Sequence, residues 1–139
     1  MRLEIQPREA EGIAVLHLRG RLVLGPDDLL LRERLAALLA QGVKRVILNL
    51  KEISAIDAAG LGTLVFCAET FELAAGRLVL TNLNPDHVSI LNLFKLDTTL
   101  EIYSEEQDAV NSFFPERRVP HYDLLQIIEE MKEGPPRVR

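Results

Sequence analysis

The chain has no tryptophan, a single cysteine and only three histidines among its 139 residues. One cysteine cannot close an intrachain disulfide, which fits a reducing compartment. Cys67 sits in a helical pattern between Phe66 and Ala68, the setting of a small packed thiol rather than a nucleophile. His17, His87 and His121 are scattered, and neither a His-x-x-His nor a Cys-x-x-Cys spacing occurs, so no metal site is expected. No Gly-x-Gly-x-x-Gly or P-loop pattern is present, and no cofactor is expected. No basic arm stands out and the net charge is -5, which argues against a nucleic-acid partner. No apolar run approaches the roughly 20 residues of a membrane helix, and Met1-Arg2-Leu3-Glu4 opens no signal-peptide pattern. The expectation is a cytoplasmic protein without direct membrane insertion.

What is present suffices for one core: 47% of the residues are hydrophobic and 27% charged, with both signs interspersed. Leu3, Ile5 and Pro7 alternate with polar residues, which suggests a short edge strand, and Ile13 to Leu18 reads as a second strand punctuated by Gly12 and Gly20. Pro26 opens a helix with Leu31, Leu35, Leu38 and Leu39 as its core stripe. Val46 to Leu50 has the continuity of a strand buried on both faces, followed by a short polar turn. A helix is expected from Ala58 to Ala75, a strand over Arg77 to Thr81, a short helix from Asn84-Pro85 to Leu93, and a last strand over Leu100 to Tyr103. Ser104-Glu105-Glu106-Gln107 has the form of a capping box opening a helix before Pro115. This alternation predicts an α/β fold: a mostly parallel sheet of about five strands with helices packed on it, its first two strands pairing as a hairpin. Residues 1–115 form that domain. Residues 116–139 read as a linker, an amphipathic helix over Asp123 to Lys132 and a short disordered tail, the helix carrying Leu124, Ile127, Ile128 and Met131 on one side.

The segment Ile56-Asp57-Ala58-Ala59-Gly60-Leu61-Gly62 follows the buried strand and opens the second long helix. Asp57 is its helix-cap candidate. Ala58 and Ala59 stand at the tip of the knuckle without any reactive group. Helical spacing puts Leu61, Leu64, Val65, Ala68 and Phe71 toward the sheet, and Ala59, Gly62, Thr63, Phe66 and Thr70 on the opposite side. Phe66 beside small residues reads as a docking anchor. Asp57, Ala58, Ala59, Gly60, Gly62, Thr63 and Phe66 therefore make the candidate partner-binding surface. Gly60 and Gly62 serve either contact or close packing. The Asp27-Asp28 and Glu129-Glu130 pairs read as solvated helix starts and faces, and nothing has the form of a catalytic constellation.

The order of elements, Asp57-Ala58-Ala59-Gly60-Leu61-Gly62, Leu91-Asn92-Leu93-Phe94-Lys95-Leu96 and Leu100-Glu101-Ile102-Tyr103 together resemble a STAS domain, the fold of bacterial anti-sigma factor antagonists. The resemblance spans roughly residues 3 to 114. It implies a non-enzymatic role in transcription regulation, in which the protein binds an anti-sigma factor that is also a histidine-kinase-like ATPase. In that family a Ser or Thr at the position of Ala59 is phosphorylated, and phosphate there blocks binding. Ala59 cannot accept it, and neither can Ala58; Thr63, one turn along on the same face, is the candidate for a relocated phosphoacceptor, although a mid-helix hydroxyl is awkward for a kinase to reach. The family's acidic Gly-Glu-Leu-Asp loop reads Gly20-Arg21-Leu22-Val23 here. The alternatives are a scaffold subunit of a stressosome-like assembly and a cytoplasmic STAS subunit of a membrane transporter. A homodimer stays open, with the C-terminal helix packing on its own domain, a second copy or a partner.

Overall fold

The computed structural model describes residues 2–93 and 100–117 of the chain, with the side chains at 90, 92 and 93 outside the description. Strands β1 (Glu4–Ala10) and β2 (Ile13–Leu22) form an antiparallel hairpin closed by Glu11 and Gly12. Both turn residues have positive φ, 53° and 81°, the mirror-image turn whose twist suits a two-residue hairpin. Pro7 lies in β1, the exposed edge strand, where a missing N–H is tolerated. Helix α1 (Pro26–Ala40), strand β3 (Arg45–Ile56), helix α2 (Ala58–Leu73), strand β4 (Arg77–Thr81), helix α3 (Pro85–Leu93), strand β5 (Glu101–Tyr103) and helix α4 (Glu106–Asn111) follow. The sheet order is β1-β2-β3-β4-β5, and all pairs after the hairpin are parallel. Each crossover steps to the next strand in the same direction, so right-handed connections place α1, α2 and α3 on one face.

That face holds the larger core. Leu16, Leu18, Leu22, Leu48, Leu50 and Leu80 of the sheet meet Leu31 and Leu35 of α1, Leu64 and Phe71 of α2, and Val88 and Leu91 of α3. The other face is covered by α4 and the residues after it: Ile13, Val15, Ile47 and Val79 pack with Ala109 and Val110, flanked by Tyr103, Phe113 and Phe114. Arg117 closes this layer, its guanidinium lying over Phe114 and bonded to Glu11 at the hairpin tip.

The expected α/β architecture, with its five-stranded and largely parallel sheet, is the one observed. Four local readings are corrected. The polar turn expected after Leu50 is strand: β3 continues to Ile56 because β2 itself runs on to Leu22 and supplies its pairing partners. Gly20 accordingly does not end β2; a shift in register occurs beside it. Ser104 is not the cap of α4. Glu105 occupies that position with no side-chain cap bond, while the Glu106 carboxylate is engaged by Arg8 and by the Asn49 amide at 3.0 Å. Asp27 and Asp28 are not merely solvated: Asp27 accepts the Leu3 N–H at 3.0 Å and Asp28 accepts the Thr63 hydroxyl. Asn84 behaves as expected, accepting the Asp86 N–H at 2.9 Å. The C-terminal helix expected over 123–132 lies outside the described residues.

Among the glycines of the described residues, the closest approach is at Gly60. A β-carbon there would stand 2.1 Å from the Leu22 carbonyl oxygen and 3.1 Å from the Ile56 side chain. Gly60→Ala is expected to destabilise the chain by about 2–3 kcal/mol, since backbone must move to admit the methyl, read as a lowered midpoint in urea unfolding.

Candidate functional site

Asp57 ends β3 and caps α2. One carboxylate oxygen accepts the Gly60 N–H at 2.9 Å, the N-cap bond expected of it. The other accepts the Leu24 N–H at 3.0 Å. One side chain thus ties the β3–α2 turn to the β2–α1 loop, and the Asp57 N–H leans toward the Leu22 carbonyl at 3.4 Å. Leu24's N–H first, and Gly60's second, hold the Asp57 carboxyl below the usual aspartate range by bonding to its charged form.

Around this junction the predicted residues separate. Ala58 is exposed and Ala59 half-buried at the tip, and Gly62 is exposed with open space beside it. Phe66 is 53% exposed on the outer side of α2, one turn beyond Gly62, with the Arg32 guanidinium 4.7 Å above its ring. These four lie along one strip. Gly60 is buried, and its role is close packing under Leu22.

Thr63 corrects the expected helical face. It is fully buried, not outward. The reason is α1, which packs along the flank of α2: Thr63 donates its hydroxyl to Asp28 and accepts from Arg32 Nε at 2.9 Å. Both of its bonding directions are filled from inside the protein, so it cannot serve as an accessible phosphoacceptor in this fold. The same network steadies Arg32 over Phe66. Cys67 is buried as expected, and burial pushes its thiol up to about 11, well away from a reactive thiolate.

Sequence spacing misses two members of this surface. Leu24, 75% exposed in the β2–α1 loop, stands beside the knuckle because Asp57 holds its N–H. Arg32 reaches α2 from α1. Both depend on contacts across roughly thirty residues of chain, which no local pattern encodes. Among the described residues no cluster of histidine, cysteine and carboxylate side chains could hold a metal ion, and no helix is long and apolar enough to cross a membrane.

This arrangement can be set beside known proteins. The STAS domain model matches residues 4–109. The chain belongs to the STAS domain family. An anti-sigma F factor antagonist of Paenibacillus polymyxa is 23% identical over 110 residues, covering 79% of this chain and 94% of that protein. Among solved structures, a Thermotoga maritima protein superposes with a TM-score of 0.72 at 20% identity, covering 78% of this chain and 92% of its own. The anti-sigma factor antagonist SpoIIAA in its unphosphorylated form gives 0.63 at 21% identity, covering 81% and 98%. At these identities the structural likeness establishes the fold. The tip of the knuckle, Ala58 and Ala59, carries only methyl side chains.

Two outcomes test the site's internal wiring. Thr63→Val is expected to cost about 1–2 kcal/mol in chemical unfolding, because Asp28 loses its hydroxyl donor in a half-buried seam while side-chain volume is kept. For Asp57, a folded pKa below the unfolded value means a contribution fully present above about pH 4 and lost as pH falls through the folded value. The stability difference between the parent chain and Asp57→Ala should therefore be widest near neutrality and shrink in urea titrations below about pH 4.

Proposed function

We propose that the chain is an anti-sigma factor antagonist, a regulatory binding protein that acts by docking on an anti-sigma factor rather than by catalysis. The observation that carries this reading is the intact knuckle: Asp57 caps α2, Gly60 seats it under Leu22, and an exposed strip of Ala58, Gly62 and Phe66 follows, all within a STAS domain. The curated relative named anti-sigma F factor antagonist supports it across nearly its full length.

The family's switch works by placing about two negative charges in the contact surface, which repel and must be desolvated. Here that step has no acceptor. Ala58 and Ala59 have no hydroxyl, and Thr63 is sealed between α1 and α2. The chain therefore binds in a form that a kinase cannot turn off at this turn. Leu24, held by Asp57, and Phe66, braced by Arg32, are the apolar contacts at the two ends of the strip. Partner recognition rests on shape and apolar contact, since the one carboxylate at the centre is already bonded to two backbone donors.

The test is a pull-down with the purified histidine-kinase-like anti-sigma factor from the same genome, with and without ATP. Equal retention in both conditions, with no phosphate on this chain, is expected, whereas Ala59→Ser should make binding ATP-sensitive. Release by ATP together with phosphate on the parent chain would refute the reading, as would absence of binding altogether. Phe66→Ala should weaken retention by about tenfold, the scale of a modest hot spot, while leaving the melting temperature nearly unchanged.

A further inference from the structure

α1 and α2 leave an apolar groove between them, walled by Arg32, Ala36 and Leu39 on one side and by Phe66, Cys67 and Thr70 on the other. Phe66, on the α2 side, is 53% exposed, and Leu73, seven residues further along α2, is 90% exposed. The α1 wall, from Arg32 to Leu39, runs about two helical turns, roughly 10 Å.

The described chain finishes at the end of the sheet where α1 and α2 also finish. Arg117 is bonded to Glu11 at 2.7 Å, at the tip of the β1–β2 hairpin. Beside it, a β-carbon on Gly12 would lie 3.1 Å from the guanidinium of Arg45, the first residue of β3. α1 ends just before this point, at Gln41-Gly42. Gly76, following α2, packs against the Lys44 backbone, where a β-carbon would stand 2.6 Å from the carbonyl oxygen. Arg117, the last turn of α1 and the last turn of α2 thus share one end of the sheet.

Residues 118–139 follow, outside the described residues. In sequence they place Leu124, Ile128 and Met131 at i, i+4 and i+7, with Ile127 widening the stripe. As a helix that stripe would be roughly 10 Å long, the length of the α1 wall. Residues 118–123 can reach about 20 Å when extended.

We propose that residues 123–132 dock as a helix in the α1–α2 groove of the same chain, Leu124 at the Leu73 end and Met131 toward Phe66. The segment enters where α1 and α2 finish, so it runs antiparallel to both. Its apolar side covers the apolar surface that the two helices leave exposed, in the manner of an amphipathic helix laid in a groove. A consequence that rests on the function proposed above is competition for Phe66: the segment and the anti-sigma factor would occupy the same anchor, giving the chain an internal regulator where the phosphate switch is missing.

The chain's lack of tryptophan supplies the test. Phe66→Trp in the full-length chain provides a single reporter at the groove, and acrylamide quenching reads its exposure. Quenching is expected to rise about threefold when Leu124→Glu and Ile128→Glu are added, because charge on the apolar side undocks the segment. Circular dichroism checks that the domain stays folded. A Tyr103→Trp reporter, on the opposite face of the sheet, should not respond to the same substitutions. Equal quenching with and without the glutamates would overturn the proposal. So would a matching rise at the Tyr103 position, which would mean general loosening, or protection that grows with protein concentration, which would mean a second copy fills the groove. No anti-sigma factor enters the measurement, so its failure and that of the binding function are read separately.

Discussion

The close approach of Leu22 to Gly60 is the constraint on which the rest of the site depends. It brings the end of β2 onto the first turn of α2 with no room for a side chain between them. Asp57 then bonds both sides of the joint, to Gly60 within its own helix and to Leu24 in the neighbouring loop. Two crossovers that leave the sheet separately are fastened at their starts. The knuckle is therefore a rigid feature of the scaffold, and its tip is presented in a fixed position relative to α1. Preorganisation of this kind lets a small apolar surface bind without first bearing the cost of ordering a loop.

A second joint lies about one turn further along the same two helices. Thr63, Asp28 and Arg32 join α2 to α1 through side chains alone, where the first joint used one carboxylate on backbone N–H groups. Placing a hydroxyl at a fully buried position is unfavourable unless its bonds are met, and here both are. Arg32 is shared: its Nε satisfies Thr63 while its guanidinium face rests on Phe66. The exposed aromatic ring is thus connected, through one arginine, to the buried network that sets the helix spacing. On the opposite sheet face, Glu106 does comparable work, engaged by Arg8 and Asn49 so that α4 is held against the hairpin and β3. Its carboxyl is drawn below the usual glutamate range first by the Arg8 hydrogen bond.

Most of the architecture was legible in the sequence because it follows from periodicity. The alternating β1 with Pro7, the apolar run of β3, Pro26 and Asn84-Pro85 as helix starts, and the sheet-facing Leu61, Leu64, Ala68 and Phe71 all rest on local spacing. Two of the failures share one cause. Lys51 to Ser54 looks like a turn in isolation, but β2 continues beside it and turns it into strand. Thr63 falls on the outer side of α2 by helical phase alone, and only the flank of α1 buries it. In both a long-range partner overrode a local preference. The capping box fails locally: the helix starts one residue later, with Glu105 at its cap, and the Gln107 amide bonds Asn111 at 3.0 Å. For the site, Asp57 and Phe66 were legible from capping and spacing, whereas Leu24 entered through one bond to Asp57 that no spacing rule supplies.

The alanines at the tip have a consequence for the energetics of any contact made there. A serine or threonine at the position of Ala59 must be desolvated when it binds, and its hydroxyl needs a partner in the complex or costs a kilocalorie or more. Alanine removes that requirement along with the phosphate acceptor. Asp57 adds no compensating demand, because its two oxygens are already bonded within the domain. The central surface is therefore one that loses little on burial and gains little in specificity from polar matching. On the docking reading proposed above, discrimination between partners comes from shape at the Gly62 gap and from the exposed apolar side chains at either end, Leu24 and Phe66. On that same reading the tip has no group whose charge could release a partner, and control comes from outside the knuckle, through access to Leu24 and Phe66.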